Sequence, residues 1–209
     1  MSNTNITKKA EDIALGKIGS NSHPAHPATV HYPLAFFTAS YGLDIVYGLA
    51  THPATKSLTN SVVNFAPHLL DAAKFSHYAN VLGLLTAFPA IATGGAELLA
   101  MIRGQDLANK FKKSDDKTKT AAKMHPKMKM AFAHAVLNDA VFLVSAYNWW
   151  TRRSVPYYIP GTANVWLSAL AMGMLMASGY LGGQMVYRHG VGVERQGTAK
   201  RLKEEGKAE

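Results

Sequence analysis

The chain alternates long apolar stretches with short polar and charged ones. Four stretches, covering residues of about 32–50, 79–102, 131–150 and 161–187, are apolar over nearly their whole length. Each is close to the roughly 20 residues that a helix needs to cross the hydrocarbon of a bilayer. The fourth carries no charged side chain, whereas helices of soluble bundles normally show a charged face. Because alternating strand patterns are missing, the chain is predicted to be an all-α membrane protein with four spans.

The segments outside the four spans complete the predicted architecture. The stretch from Thr51 to His77 is too polar to span, but its apolar residues predict a short helix at the membrane surface. Residues 1–25 are predicted to be a flexible tail, 26–193 the transmembrane domain and 194–209 a charged tail. The predicted fold is a polytopic four-helix bundle, up-down-up-down, with a short interfacial helix between the first and second spans.

The distribution of positive charge predicts an orientation. Four spans place both termini and the loop 103–130 on one side of the bilayer, called side A. Eighteen of the 22 lysine and arginine residues fall there, and the net charge of the chain is +9. The positive-inside rule makes side A the cytosolic side, or the matrix side in a mitochondrion. The charge is thereby explained with the lipid bilayer as partner and without a nucleic acid.

Composition narrows the chemistry. The chain has no cysteine, which excludes disulfides, thiolate metal sites and iron–sulfur clusters. No sequence motif pairs a nucleophile with a base, so the sequence does not indicate a hydrolase. Whether the chain is an enzyme stays open, and a component of an oxidoreductase is one role that its histidines allow.

Histidines near the ends of the spans are the candidate ligands. His26 and His31 precede the first span, His134 lies about one turn into the third, and His189 follows the fourth. Glu97 lies about one turn before the end of the second span. With up-down threading, all of them come to a similar depth near side A. Polar groups facing lipid are costly, so these side chains are predicted to face inward.

These candidate ligands allow two kinds of cofactor, or none. The first cofactor is haem b, ligated by His134 and His189, with His31 as the substitute ligand. Small residues on the inward faces would admit the macrocycle, and three further residues are predicted to contact it: Asn138, Arg188 and Arg103. The second is a single zinc, copper or iron ion. Its predicted ligands are His26, His31, His134, His189 and Glu97. The third possibility is that the histidines are helix-end residues and bind no cofactor.

Three sequence motifs carry a resemblance to a known family. The opening His26-Pro27-Ala28-Thr29-Val30-His31-Tyr32-Pro33 fits the pattern HP-x-x-VH-[FY]-P, and the third span contains His134-Ala135-Val136-Leu137-Asn138. The fourth span ends in Tyr187-Arg188-His189-Gly190-Val191-Gly192-Val193. These motifs resemble an uncharacterised four-helix membrane-protein family, domain of unknown function 2231. The resemblance implies four spans and a membrane location, and it implies no reaction.

The sequence favours a haem b electron carrier, which exchanges electrons with a redox partner or within a larger membrane complex. One alternative is a structural or assembly protein without a cofactor. Another is a proton-coupled transporter using Glu97, Asp139 and Asp44, although for Asp44 a neutral carboxyl hydrogen-bonded to a neighbouring helix is preferred. Small-xxx-small spacing in the fourth span, at Gly173 and Ala177, is compatible with packing inside the bundle or with a homo-oligomer.

Overall fold

The computed structural model describes residues 3–16, 23–115 and 124–191, and this part of the chain is helical apart from turns and short connections. Four helical segments are long and apolar enough to cross a membrane: His26–Thr51, Ala66–Gly104, Pro126–Arg152 and Thr162–Tyr187. The predicted all-α four-helix membrane bundle is therefore confirmed.

Seven α-helices and two short 3₁₀ turns make up the described chain. The 3₁₀ turns are Ala66–His68 and Pro156–Tyr158. The α-helices, in chain order, are α1 Asn3–Ala14, α2 His26–Thr29, α3 His31–Thr51, α4 Lys56–Val62, α5 Leu69–Asp115, α6 Pro126–Arg152 and α7 Thr162–Tyr187. Helix α4 is the short helix expected between the first two spans.

Two elements extend beyond the sequence expectation. Helix α1 occupies the tail predicted to be flexible. Leu15, directly after the helix, is 1 % exposed, and Glu11 forms an ion pair with Arg103 at 2.6 Å. Helix α5 begins at Leu69, before the predicted span, and continues past it to Asp115. Hydropathy detects only the apolar part of a helix, so the length predicted for a helix with polar ends is shorter than its true length. The charged tail 194–209 lies outside the described residues.

The chain divides into two compact units. Unit 1 comprises Met1–Thr29, Pro89–His134 and Tyr180–Glu209, and unit 2 comprises Val30–Phe88 and Ala135–Gly179. Helices α5, α6 and α7 each contribute residues to both units. In unit 2, the side chains that form the buried apolar core come from α3, α5, α6 and α7: Phe37, Tyr41, Ala87, Val141, Ala171 and Leu175.

Large apolar side chains cover the outside of the helices. Leu143 is 67 % exposed, Trp166 72 % and Met176 70 %. Such exposure would be costly in water, but it suits helices whose outer faces contact lipid. The exposed apolar surface therefore agrees with the four spans.

Candidate functional site

Two imidazoles meet in unit 1. The rings of His26 and His134 have their centres 6.4 Å apart, and their planes cross at 90°. His26 begins the short helix α2, which stops at Thr29 before α3 starts at His31. His134 lies in the third turn of α6 and is half-buried. Two neutral imidazoles at this separation offer two nitrogen ligands to one metal centre.

Hydrogen bonds to α5 fix the ring of His26. Its Nδ1 lies 3.0 Å from the carbonyl oxygen of Ala90 and 3.3 Å from the hydroxyl of Thr93. Because a carbonyl oxygen only accepts, the Nδ1–H of a neutral His26 donates to Ala90 and Nε2 carries the lone pair. This is the outer-shell arrangement that orients most metal-binding histidines. Thr29 supports it, since its hydroxyl donates to the carbonyl of His26 at 2.9 Å and lies 3.0 Å from the Thr93 hydroxyl.

Two glycines pack closely against the imidazoles. A Cβ at Gly94 would lie 2.7 Å from Cε1 of His26, and a Cβ at Gly182 would lie 3.3 Å from Cε1 of His134. The first distance is a clash and the second is tight. Helix α5 therefore approaches His26, and α7 approaches His134, as closely as they do because both positions lack a side chain.

The remaining predicted ligands are distributed over both units. Glu97 is buried in unit 1, and His189, half-buried, follows the end of α7 in the same unit. His31 is exposed at the start of α3 in unit 2. In the described ranges, no group of three or more His, Cys, Asp or Glu side chains is placed to hold a metal ion. A bare metal ion bound by His26, His31, His134, His189 and Glu97 thus stays a prediction without such a cluster to support it.

The residues predicted to contact a haem also have defined positions. Arg103 forms its ion pair with Glu11, and Arg188 is exposed in the turn after α7. Asn138 belongs to unit 2, where its side-chain amide donates to the hydroxyl of Ser178 at 2.6 Å. Among these three, Arg103 and Arg188 share unit 1 with the histidine pair.

A buried ion pair in unit 2 was missed by the sequence analysis. Arg152 and Asp44 are 1 % and 0 % exposed, and Nη1 of Arg152 lies 2.9 and 3.0 Å from the two carboxylate oxygens. From the sequence, Arg152 is one of the four positive charges outside side A, and Asp44 is expected to be a neutral carboxyl hydrogen-bonded to a neighbouring helix. The hydrogen bonds from neighbouring helices are present. The expectation of a neutral carboxyl is wrong, because Asp44 forms a buried ion pair with Arg152. Arg152 ends α6, and its long side chain reaches back into the core.

Every helix of the unit 2 core contributes to this ion pair. Ser76 of α5 and Ser168 of α7 donate to the carboxylate of Asp44, Ser168 at 2.7 Å. The guanidinium also donates to the carbonyls of Ala73, at 3.0 Å, and Tyr158, at 2.8 Å. A buried charge pair is tolerated only when its remaining donors and acceptors are satisfied, as they are here. We call this set, Asp44, Arg152, Ser76, Ser168, Ala73 and Tyr158, the ion-pair network.

One sequence signal could have located the ion-pair network. Polar residues recur at helical spacing along α6 and form one stripe that ends at the last residue of the helix: Asn138, Ser145, Asn148 and Arg152. Three of these side chains are indeed nearly fully buried: Ser145 at 0 %, Asn148 and Arg152 at 1 %. By contrast, Asp139, one of the carboxyl groups that a proton-coupled transporter would use, is exposed.

Comparison with known proteins identifies the family to which the chain belongs. No curated protein and no solved structure matches the chain significantly. A family model described as "Predicted membrane protein (DUF2231)" matches residues 22–195. The match covers all four spanning segments and both histidines of the pair. The chain thus belongs to this family of predicted membrane proteins, and it is an integral membrane protein embedded in the lipid bilayer.

Proposed function

We propose that the protein binds a b-type haem between His26 and His134 and acts as a one-electron carrier in the membrane. The observation that carries the proposal is the ring pair: two imidazoles from distant parts of the chain, with centres 6.4 Å apart and planes at 90°. His26 replaces His189 as the preferred partner of His134, because His26 is the imidazole whose ring contacts His134.

The separation of the rings leaves room for one metal centre. Bonds from a metal to histidine nitrogen are about 2 Å long, so two imidazoles that held one iron would have ring centres about 6 Å apart. The separation of 6.4 Å agrees with this value. A haem needs only two protein ligands, so the proposal does not require the three-residue cluster that the described part of the chain lacks.

Each residue around the pair has a role in the proposal. Ala90 and Thr93 orient His26 so that Nε2 is the ligand atom. Gly94 and Gly182 let the helices approach the ligand rings. Arg188, exposed after α7, is the proposed partner of the propionates, because Arg103 is paired with Glu11. The haem would supply reversible one-electron exchange with a redox partner, and protein side chains would make and break no bonds.

An absorption spectrum of the detergent-purified protein, made in cells supplied with iron and a haem precursor, tests the proposal. We expect a Soret band and, after reduction, sharp α and β bands, with about one haem per chain. A colourless protein that contains stoichiometric zinc, copper or iron would favour the bare metal site. A folded protein without haem or metal would contradict the proposal and favour a structural or assembly role.

Replacing Gly94 by alanine should weaken haem binding, because the new methyl group would displace the ring of His26. We expect a loss of about tenfold in haem affinity, the scale on which outer-shell changes act on metal sites. The matched control is Gly95→Ala, since a Cβ at Gly95 meets nothing within 4 Å. Both changes raise helix propensity equally. Haem titration of the two apoproteins measures the difference, and equal affinities would show that Gly94 does not position the ligand.

We further propose that both termini lie on the cytosolic side, or on the matrix side in a mitochondrion. The support is the asymmetry of positive charge, with eighteen of 22 lysine and arginine residues in the tails and the loop 103–130. A reporter active only in the cytosol, fused to the C-terminus, should be active, and one fused within the 156–161 turn should be silent. The reverse pattern would invert the orientation.

A further inference from the structure

Two buried polar atoms in unit 2 are unsatisfied. In the described part of the chain, Nδ1 of His77 and Oδ1 of Asn80 are the buried side-chain atoms that have no hydrogen-bond partner. His77 is 5 % exposed and Asn80 is 1 % exposed. Leaving such atoms unpaired is costly, and buried polar groups nearly always find a protein or water partner. Two unpaired atoms on one helix therefore indicate a small polar ligand.

The surroundings of the two residues define which ligand fits. His77 and Asn80 are three positions apart in α5, so they lie on the same side of that helix. The other end of each side chain is already held: the His77 ring stacks on Tyr158 with centres 4.1 Å apart, and the Asn80 amide donates to the carbonyl of Ser145 at 2.8 Å. The ligand must donate to an amide oxygen and contact an imidazole nitrogen. A water molecule meets both requirements, and two polar partners suffice to hold it.

Hydroxyl groups and the ion-pair network lie close to these atoms. Ser76, next to His77 in the chain, donates to Asp44, and its hydroxyl is 3.4 Å from that of Ser40. Ser145 shares a hydrogen bond with the hydroxyl of Tyr41, 2.5 Å away. Within each of these two groups, hydroxyl and carboxyl oxygens in hydrogen-bonding contact can pass a proton from one oxygen to the next.

An apolar layer closes this polar region on one side. In α6, Val141 lies one turn before Ser145 and about 16 Å from Arg152 along the helix axis. Side chains of all four core helices surround Val141. The apolar core there consists of Phe37, Ala87, Val141, Ala171 and Leu175, and the hydroxyl of the sixth core residue, Tyr41, is hydrogen-bonded to Ser145. Three residues further, the next polar contact is that of Asn138 with Ser178. We call this set the apolar layer.

We propose that a water molecule bound between His77 and Asn80 makes this region a proton-conducting half-channel that the apolar layer closes. Protons enter from bulk water at the Arg152 end of the helices, where half-buried Tyr158 covers His77. Each transfer moves one proton from an O–H or N–H group to the lone pair of the next group, and no electron moves. Transfer stops at Val141. The Tyr41 hydroxyl reaches the backbone carbonyl of Val141 at 3.4 Å, but the side chains of the layer offer neither donor nor acceptor beyond it.

Proton flux into liposomes containing the purified full-length protein tests the half-channel. With a potassium gradient and valinomycin as the driving force, Val141→Ser should raise the flux about tenfold over the unmodified protein, the effect of one new hydrogen bond on a barrier. The control is Leu143→Ser, on the exposed face of α6, which should not raise the flux. A folded Val141→Ser protein with unchanged flux would overturn the half-channel.

The water molecule is tested separately. In the Val141→Ser background, Asn80→Leu removes the amide oxygen at similar volume and should return the flux to that of the unmodified protein. Flux that persists would overturn the assignment of the water site. Without any change at Val141, solid-state NMR should show water-exchange cross-peaks at the His77 ring that Asn80→Leu removes. Their absence in the unmodified protein would also overturn it.

Discussion

Replacing Asp44 by asparagine, or Arg152 by methionine, should lower the free energy of unfolding by about 3–5 kcal/mol, because each change leaves an uncompensated buried charge. Both side chains are at most 1 % exposed, so water cannot solvate the charge that remains. The loss should be measured by denaturant titration of the purified protein in detergent micelles. This is the largest effect on stability that we expect from a single substitution in unit 2.

Two further variants isolate the origin of this loss. Arg153→Met removes the neighbouring arginine, which is exposed and lies 3.2 Å above the ring of Trp150, and it should cost about 1 kcal/mol or less. The double variant Asp44→Leu/Arg152→Met removes both charges and should recover much of the loss. If Asp44→Asn costs no more than Arg153→Met, the buried ion pair does not stabilise unit 2 more than an exposed arginine does, and the expectation is wrong.

Replacing either His26 or His134 by alanine should abolish haem binding. Each imidazole would supply one of the two proposed haem ligands, and the ring pair is what distinguishes these histidines from the others in unit 1. The Soret band of each purified variant, scaled to protein concentration, measures the effect. We expect less than a tenth of the haem content of the unmodified protein, because losing one ligand costs at least the 10–100-fold of outer-shell changes.

His31→Ala is the matched control for these variants. His31 has the same side chain and stands five residues after His26, but it is exposed and belongs to unit 2. Its replacement should leave the Soret band unchanged. Loss of the band in His189→Ala but not in His26→Ala would make His189 the second ligand, as the sequence analysis preferred. A full band in both His26→Ala and His134→Ala would exclude the proposed site.

The four spans could be predicted because hydropathy reflects a local property of the chain. Uninterrupted apolar stretches of sufficient length, such as that in α7, need no tertiary information. Helix ends are different. Helix α5 includes a charged segment up to Asp115 that hydropathy assigns to a loop, although the lysine, glutamine, leucine and alanine residues in that segment form helices readily. The membrane boundary and the helix boundary are thus separate quantities.

The pairing of side chains could not be predicted in the same way. Asp44 and Arg152 are separated by 108 positions, and the position of Arg152 at a helix end indicates a solvated charge. Its reach into the core depends on the length of its side chain and on the placement of α3. Similarly, the sequence brings four histidines to one depth, but it does not choose among them. The break between Thr29 and His31, together with the Ala90 carbonyl, selects His26 as the neighbour of His134.

The most direct test of the proposed function is the EPR spectrum of the oxidised, detergent-purified protein. If His26 and His134 hold the haem with their ring planes at 90°, we predict a single low-spin ferric signal of the strongly anisotropic type that crossed imidazole planes produce. This signal should be lost in His26→Ala. A high-spin ferric signal, or a folded protein without any ferric haem signal, would contradict ligation by these two residues.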